Sequence, residues 1–305
     1  MRLLRRTAVL FTALSFAGLF GFQSADNHDL GDIAPNAASV RAVGFGDWGY
    51  QGSGSGFKEV GLAIARIHAA TPFTFGFTLG DNFYPVGVRN TKDRAWNTFW
   101  ESGYGKLGIR FFAVLGNHDY EGSPQAEIDY TKVSPSQTWR MPYRYYTFAA
   151  GPVRFFALDT DENLNLRNLH PKPWSKEQSE WLDNQLAKFA DARWKIVYGH
   201  HPVFNDGKTG GDARMVKQLF PILKLRKADA YLCGHDHNLQ HFTQEGIEFF
   251  LVGGGGKDPE NVSRRKADYV APRNGFLTLE ADAAHLTFGL QGVKGTVLFE
   301  KKLAK

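Results

Sequence analysis

The chain has 305 residues, of which 43% are hydrophobic, 14% aromatic and 22% charged. These proportions exclude a disordered or fibrous chain, and a globular chain of this length removes roughly 75% of its extended surface from water. The net charge of +5 is not a nucleic-acid footprint: Arg2, Arg5 and Arg6 supply three of those charges and no acidic residue precedes Asp26, so the remainder carries +2.

The N-terminus has a basic segment, Arg2 to Arg6, then an apolar tract from Ala8 to Phe22. That tract is short for a membrane span and suits a signal peptide, residues 1–25. It predicts export, secreted or periplasmic, with no stable membrane insertion after cleavage. Residues 26–38, polar with Gly and Pro, predict a linker, and residues 39–305 a single domain. Cys233 is the lone cysteine, so no internal disulfide forms. It lies in the apolar run Ala230–Cys233 and is expected as a small buried hydrophobe.

Five apolar runs read as buried strands, each closed by glycine and then by metal-ligand residue types. Val40–Phe45 leads to Gly46-Asp47-Trp48-Gly49, and Phe73–Leu79 to Gly80-Asp81-Asn82-Phe83-Tyr84. Ile109–Leu115 leads to Gly116-Asn117-His118-Asp119, Trp194–Tyr198 to Gly199-His200-His201-Pro202, and Asp229–Cys233 to Gly234-His235-Asp236-His237. The Gly-rich stretch Gln51–Gly56 lacks the Lys-Ser/Thr ending of a phosphate-cradling P-loop and is expected as a plain loop. Helices are expected over Phe57–Ile67, after an N-cap at Thr91, after a capping box at Ser175 and Gln178, and after a cap at Asp212. Tyr143–Phe148 and Val153–Leu158 read as a hairpin, 161–174 as an exposed loop, and Ile247–Val252, Gly275–Leu279, His285–Gly289 and Thr296–Phe299 as late strands. The order, βα units early and strands late, predicts an α/β fold of two stacked mixed β-sheets flanked by helices.

Strand ends that share one rim bring their ligands together, as open α/β sheets do. Asp, Asn, His and Tyr donors suit Zn²⁺, Mn²⁺ and iron. Two neighbouring cations repel and need a bridging anion, which makes Asp81 the expected shared carboxylate. His235 and His237, two residues apart on a turn, can serve two metals. His28, His68, His170, His241 and His285 lack such partners and are expected as ordinary core or surface residues.

The five motifs in this order resemble the purple acid phosphatases of the calcineurin-like metallophosphoesterases, and most closely the compact tartrate-resistant (type 5) acid phosphatases. The resemblance runs from about Val40 to near the C-terminus, and Tyr84 marks the purple branch. It implies a binuclear Fe³⁺–M²⁺ centre in which Asp47, Tyr84 and His237 hold Fe³⁺. Asn117, His200 and His235 hold Fe²⁺, Zn²⁺ or Mn²⁺, Asp81 bridges, and His118 lies beside the metals near the substrate. It also implies a monomeric acid phosphatase in which metal-bound hydroxide attacks small phosphomonoesters in line, with His118 and Asp81 as catalytic residues. A phosphodiesterase using the same site, on nucleotides or lipid head groups, and a non-catalytic iron-binding surface protein are the alternatives. Two departures from the animal enzymes stand out: Pro202–Thr209 contains no second histidine, with His201 in place of a tyrosine beside the ligand, and the animal disulfide is absent.

Overall fold

A computed structural model describes residues 28–52, 56–161 and 174–305. The expected signal peptide, the centre of the Gly-rich loop and most of the 161–174 loop lie outside the described residues. In chain order the first elements are β1 (Asp29–Asp32), β2 (Ser39–Phe45), α1 (Gly56–Ala70), β3 (Phe75–Thr78), β4 (Phe111–Phe112), α2 (Pro124–Val133) and β5 (Trp139–Arg140). Next come β6 (Tyr146–Ala150), β7 (Val153–Ala157), α3 (Lys176–Lys188), β8 (Trp194–Tyr198), α4 (Phe220–Leu225) and β9 (Ala230–Cys233). The chain closes with β10 (Leu239–Gln244), β11 (Ile247–Val252), β12 (Tyr269–Ala271), β13 (Gly275–Asp282), β14 (His285–Gly292) and β15 (Val297–Ala304).

The strands form two mixed sheets, as the order of elements predicted. One has eight strands in the order β1-β6-β7-β8-β9-β11-β10-β12, the other seven in the order β15-β14-β13-β2-β3-β4-β5. Their inner faces meet through aromatic side chains: Phe75 packs edge-on against Phe155, with ring centroids 5.3 Å apart, and Phe77 lies 5.4 Å from Tyr198. The central strands β3, β8 and β9 are buried throughout, which explains why their sequences are apolar on both faces apart from Thr78 and Lys195. Helix α1, the crossover between the parallel strands β2 and β3, buries Val60, Ala63 and Ile64 against the seven-stranded sheet, whereas Trp181, Leu182 and Leu186 of α3 and Leu223 of α4 pack with Phe156 and Val197 on the outer face of the eight-stranded sheet.

Several local features differ from expectation. The first strand lies inside the segment read as a linker: β1 pairs in parallel with β6, and Arg154 Nη2 meets Asp29 Oδ1 at 2.5 Å. A short polar strand carries no alternation and is invisible to periodicity. The helix around Trp96 is capped by Asp93, whose Oδ1 accepts the Ala95 N–H at 3.0 Å, and not by Thr91. Ser175 does cap α3, accepting the Gln178 N–H, and the Gln178 side chain also holds the backbone N–H and C=O of Asp159. Asp212 accepts the Arg214 N–H at 2.7 Å at the start of its helix, as expected.

Candidate metal centre

The C-terminal ends of β2, β3, β4, β8 and β9 reach one rim, so the five motifs meet. The turns are tied directly to one another: Asp47 N–H donates to Gly80 O, Trp48 N–H to Asp81 O, Tyr84 N–H to Gly49 O and Gly234 N–H to His200 O. Asp47, Asp81 and His235 all sit in the left-handed region, at φ of 59°, 50° and 82°. Non-glycine residues hold that conformation at a cost of order 1–3 kcal/mol, and they concentrate where a side chain must be aimed.

Below the rim is a buried support. Asp119 accepts the backbone N–H groups of Asn82, Phe83 and Gly116, so one carboxylate clamps the turns that carry Asp81 and Asn117. Asn82 binds Trp48 Nε1, Thr78 Oγ1, Val114 O and Glu127 Oε2. Burial and the nearby Asp81 charge push Asp119 up to about 7, against the pull of its N–H donors. Asn82 and Asp119 stand within the expected motifs, but Glu127 carries no sequence signal that separates it from a surface helix residue.

Two donor sets share Asp81. In the first, the Tyr84 hydroxyl lies 3.0 Å from Asp47 Oδ1, 2.8 Å from Asp81 Oδ2 and 3.4 Å from His237 Nε2. In the second, Asn117 Oδ1 lies 3.1 Å from His200 Nε2 and 3.0 Å from His235 Nδ1, and the two imidazole nitrogens are 3.2 Å apart. His200 Nε2 is 3.5 Å from Asp81 Oδ1. With metal–nitrogen bonds of about 2.1 Å, adjacent ligands at right angles stand about 3 Å apart, so these spacings fit a cation in each set. The outer nitrogen of His200, Nδ1, lies 2.8 Å from Leu79 O, which fixes the ring with Nε2 free to ligate.

The electrostatics call for cations. Ligand oxygens of Asp47 and Asp81 lie within 4.8 Å of each other, and both residues are buried. At an effective dielectric near 20, two full charges at that spacing repel by about 3 kcal/mol. Among the described residues no Lys or Arg nitrogen approaches either carboxylate within 4.0 Å. Burial, followed by the Asp81 charge, raises Asp47 well above the usual carboxylate range. Burial opposes ionisation of Asp81 too, but His200, His118 and the His118 N–H, 2.9 Å from Oδ1, outweigh it and hold the group low. Burial and the two carboxylates push Tyr84 upward, so with no metal beside it the hydroxyl is a protonated hydrogen-bond donor. Burial lowers both His235 and His237 to about 4, which keeps their lone pairs available in acid.

His118 stands apart from both sets. Its Nδ1 lies 2.6 Å from Pro85 O and its Nε2 3.9 Å from Asp81 Oδ2, with about a third of the side chain exposed. His201 is buried behind His235, with ring centroids 4.6 Å apart, and its Nδ1 lies 3.0 Å from Thr160 Oγ1. Burial, then His235, His200 and Arg214, hold it neutral, so it braces the site and is a poor proton source. Cys233 is buried, with Sγ 3.5 Å from Phe250 O and its thiol pushed up by burial. Gly253–Gly256, outside the five motifs, also shape the rim. A Cβ on Gly255 would stand 2.2 Å from Gly46 O and one on Gly256 2.5 Å from Trp48 O, so only glycine lets this run press against the Asp47 turn. Four successive glycines after an apolar strand were the available signal.

The architecture and the paired donor sets define a class: a phosphoesterase-type α/β sandwich with a candidate two-metal rim. Residues 40–239 match the model of the calcineurin-like phosphoesterase family. Tartrate-resistant acid phosphatase type 5 of Sus scrofa is 33% identical over 84% of this chain and 80% of its own. GAP50, the anchor in the inner membrane complex of Plasmodium, superposes with a TM-score of 0.75 at 23% identity, over 88% of this chain and 89% of that one. The purple acid phosphatase PPD1 of yellow lupin (Lupinus luteus) seeds superposes with a TM-score of 0.67 at 16% identity, over 89% of this chain and 55% of that one. The chain belongs to the purple acid phosphatase branch of the calcineurin-like phosphoesterases and is a phosphate-ester hydrolase.

Proposed function

We propose that the protein is an exported, monomeric acid phosphatase that hydrolyses small phosphomonoesters at an Fe³⁺–M²⁺ centre, M being Fe, Zn or Mn. The observation that carries this reading is the pair of donor sets sharing Asp81, with the Tyr84 hydroxyl in one of them. Asp47, Tyr84 and His237 would hold Fe³⁺, and Asn117, His200 and His235 the divalent ion. Export rests on the basic and then apolar sequence of residues 1–25, with the catalytic domain running from β1 to the last strand. Among the described residues no helix is long and apolar enough to cross a membrane.

When bound, the metals supply Lewis acidity toward phosphoryl oxygens and lower the pKa of water. The protein does the rest. Asp81 directs Oδ1 toward the His200 side and Oδ2 toward Tyr84, which keeps the two sites in register. The Pro85 carbonyl can only accept, so His118 carries its proton on Nδ1 and presents Nε2 to the opening. Protonated at Nε2 as well, the ring can deliver a proton to the departing alkoxide oxygen. Asp119 and Asn82 hold the turns rigid beneath these groups.

The test is metal analysis and a visible spectrum of the purified protein, with turnover of p-nitrophenyl phosphate and its bis diester. Expected are two metals per chain, one of them iron, a phenolate-to-Fe³⁺ band that Tyr84→Phe removes, and faster turnover of the monoester in acid. A colourless, iron-free and active protein, or faster turnover of the diester, would overturn the reading.

A further inference from the structure

Lys257 ends the glycine run beside the Asp47 turn. Its backbone is pinned on both sides: its N–H donates to Asp47 O and its carbonyl accepts from Asn274 Nδ2, each at 2.9 Å. The side chain is therefore delivered to the rim. Nζ lies 3.4 Å from the centroid of the Tyr50 ring and 5.3 Å from that of Tyr84. The two rings are themselves edge to face at 5.9 Å, and Tyr84 contacts the His118 ring at 4.5 Å. Lys257, Tyr50, Tyr84 and His118 thus line one half-exposed edge of the opening.

The way this ammonium is held distinguishes it. Lys301 and Lys305 meet Glu248 and Asp229 at 3.1 and 2.6 Å. Lys257, by contrast, has no carboxylate oxygen within 4.0 Å among the described residues. A ring face steadies a cation without neutralising it, and three N–H donors cannot all be spent on π-density. The nearest acids along the chain are Asp258 and Glu260, and Glu260 Oε1 faces His237 Nδ1 at 3.9 Å. Two metals and their ligands already serve the phosphoryl group, which leaves this cation without a role in the reading above.

We propose that Lys257 is a specificity-determining residue that binds a second anionic group of the substrate, so that the preferred substrates are phosphomonoesters whose organic part carries a carboxylate or a further phosphate. The inference rests on the phosphomonoesterase reading. A charge-assisted contact at a half-exposed rim is worth about tenfold in affinity, and it weakens with salt.

The test compares phenyl phosphate with 4-carboxyphenyl phosphate on the metal-loaded wild type, Lys257→Gln and Lys257→Arg. The quantity read is the ratio of the two kcat/KM values, in which effects of leaving-group acidity cancel between variants. Expected is a wild-type preference for the carboxylated substrate that Lys257→Gln lowers about tenfold, through KM, and that Lys257→Arg retains. The backbone bonds of residue 257 survive either change, so misfolding does not obscure the result. An unchanged ratio, or an equal fall for both substrates, overturns the proposal. If the wild type turns over neither substrate, the phosphomonoesterase reading fails, and calorimetric binding of phenylphosphonate and 4-carboxyphenylphosphonate decides the role of Lys257 separately. A tenfold loss confined to the carboxylated ligand in Lys257→Gln supports the anion site, and equal affinities overturn it.

Discussion

Among the described residues, the rim and the surroundings of His241 are both buried clusters of histidine and carboxylate, and they differ in charge balance. Around His241, Nε2 lies 2.7 Å from Glu248 Oε2 and Nδ1 3.4 Å from Asp268, while Lys301 approaches the other oxygen of Glu248 at 3.1 Å. There burial would raise Glu248, but His241, Lys301 and Thr243 outweigh it and the carboxylate is held low. At the rim, Asp47 shifts the other way: burial raises it first and the Asp81 charge adds to the rise, with the His235 N–H and the Tyr84 hydroxyl too weak to reverse it. One cluster has its cations built into the sequence. The other converges lone pairs from Asp, Asn, His and Tyr and leaves the positive charge to be supplied from outside. Burial alone does not separate a metal site from an ion pair; the missing countercharge does.

The sharpest way to break this comparison is to remove one histidine from each cluster. His235→Ala or His200→Ala deletes a nitrogen from the set around Asn117. Losses of outlying support in metal sites already cost 10–100-fold, so turnover should fall by at least about a hundredfold, with less than one divalent ion retained per chain. Metal content and p-nitrophenyl phosphate turnover are the measurements. Next in size is His118→Asn, which leaves both donor sets whole. Metal content should stay at two per chain while turnover falls by about 10²-fold for esters with poor leaving groups, and less for p-nitrophenyl phosphate. A fall independent of the leaving group would remove His118 from proton delivery.

His241→Ala is the counterpart in the balanced cluster. Glu248 loses one of its partners, and the protein should be destabilised by about 1–3 kcal/mol, read as a lower melting temperature. Turnover per metal-loaded site should match wild type. If His241→Ala emptied the rim of metal, the separation of the two clusters would be wrong.

The strands that carry the rim were legible because predominantly apolar runs ended in Gly plus a polar ligand, a pattern set by burial on both faces. His200, His235, Asp47 and Asp81 were picked out for the same reason: polar residues directly after a buried strand have few other uses. What escaped lay where periodicity is silent. β1 and β5 are too short for alternation, β10 (Leu-Gln-His-Phe-Thr-Gln) does not alternate apolar and polar residues, and α2 has a weakly apolar face. Asp93 was hidden behind Thr91 because both are good caps and only the structure shows which one bonds. Glu127 and Lys257 act through tertiary neighbours far away in sequence, Asn82 and the two tyrosines, and no local rule reads such pairs.

The smallest expected effect concerns acid. A metal ligand must be deprotonated, so protons compete with metal wherever an imidazole titrates. His235 and His237 are lowered to about 4 from an ordinary 6.5 by burial, with His200 adding to the shift at His235 and Lys257 at His237, against Asp81. Between those two values the two imidazoles stay neutral in the folded protein while the unfolded chain would take up protons. For the metal-free protein the sign follows: the contribution of these histidines to stability is present above 6.5 and is lost as pH falls toward 4. For the loaded protein the same depression is protective. Metal content should change by less than about twofold between pH 7 and pH 5 and drop steeply only below about pH 4. Equilibrium dialysis across that range, followed by metal analysis, reads it directly. Half-loss of the divalent ion near pH 6.5 would mean that the rim is far wetter than its buried side chains imply, and the contrast with the His241 cluster would then have to rest on countercharge alone.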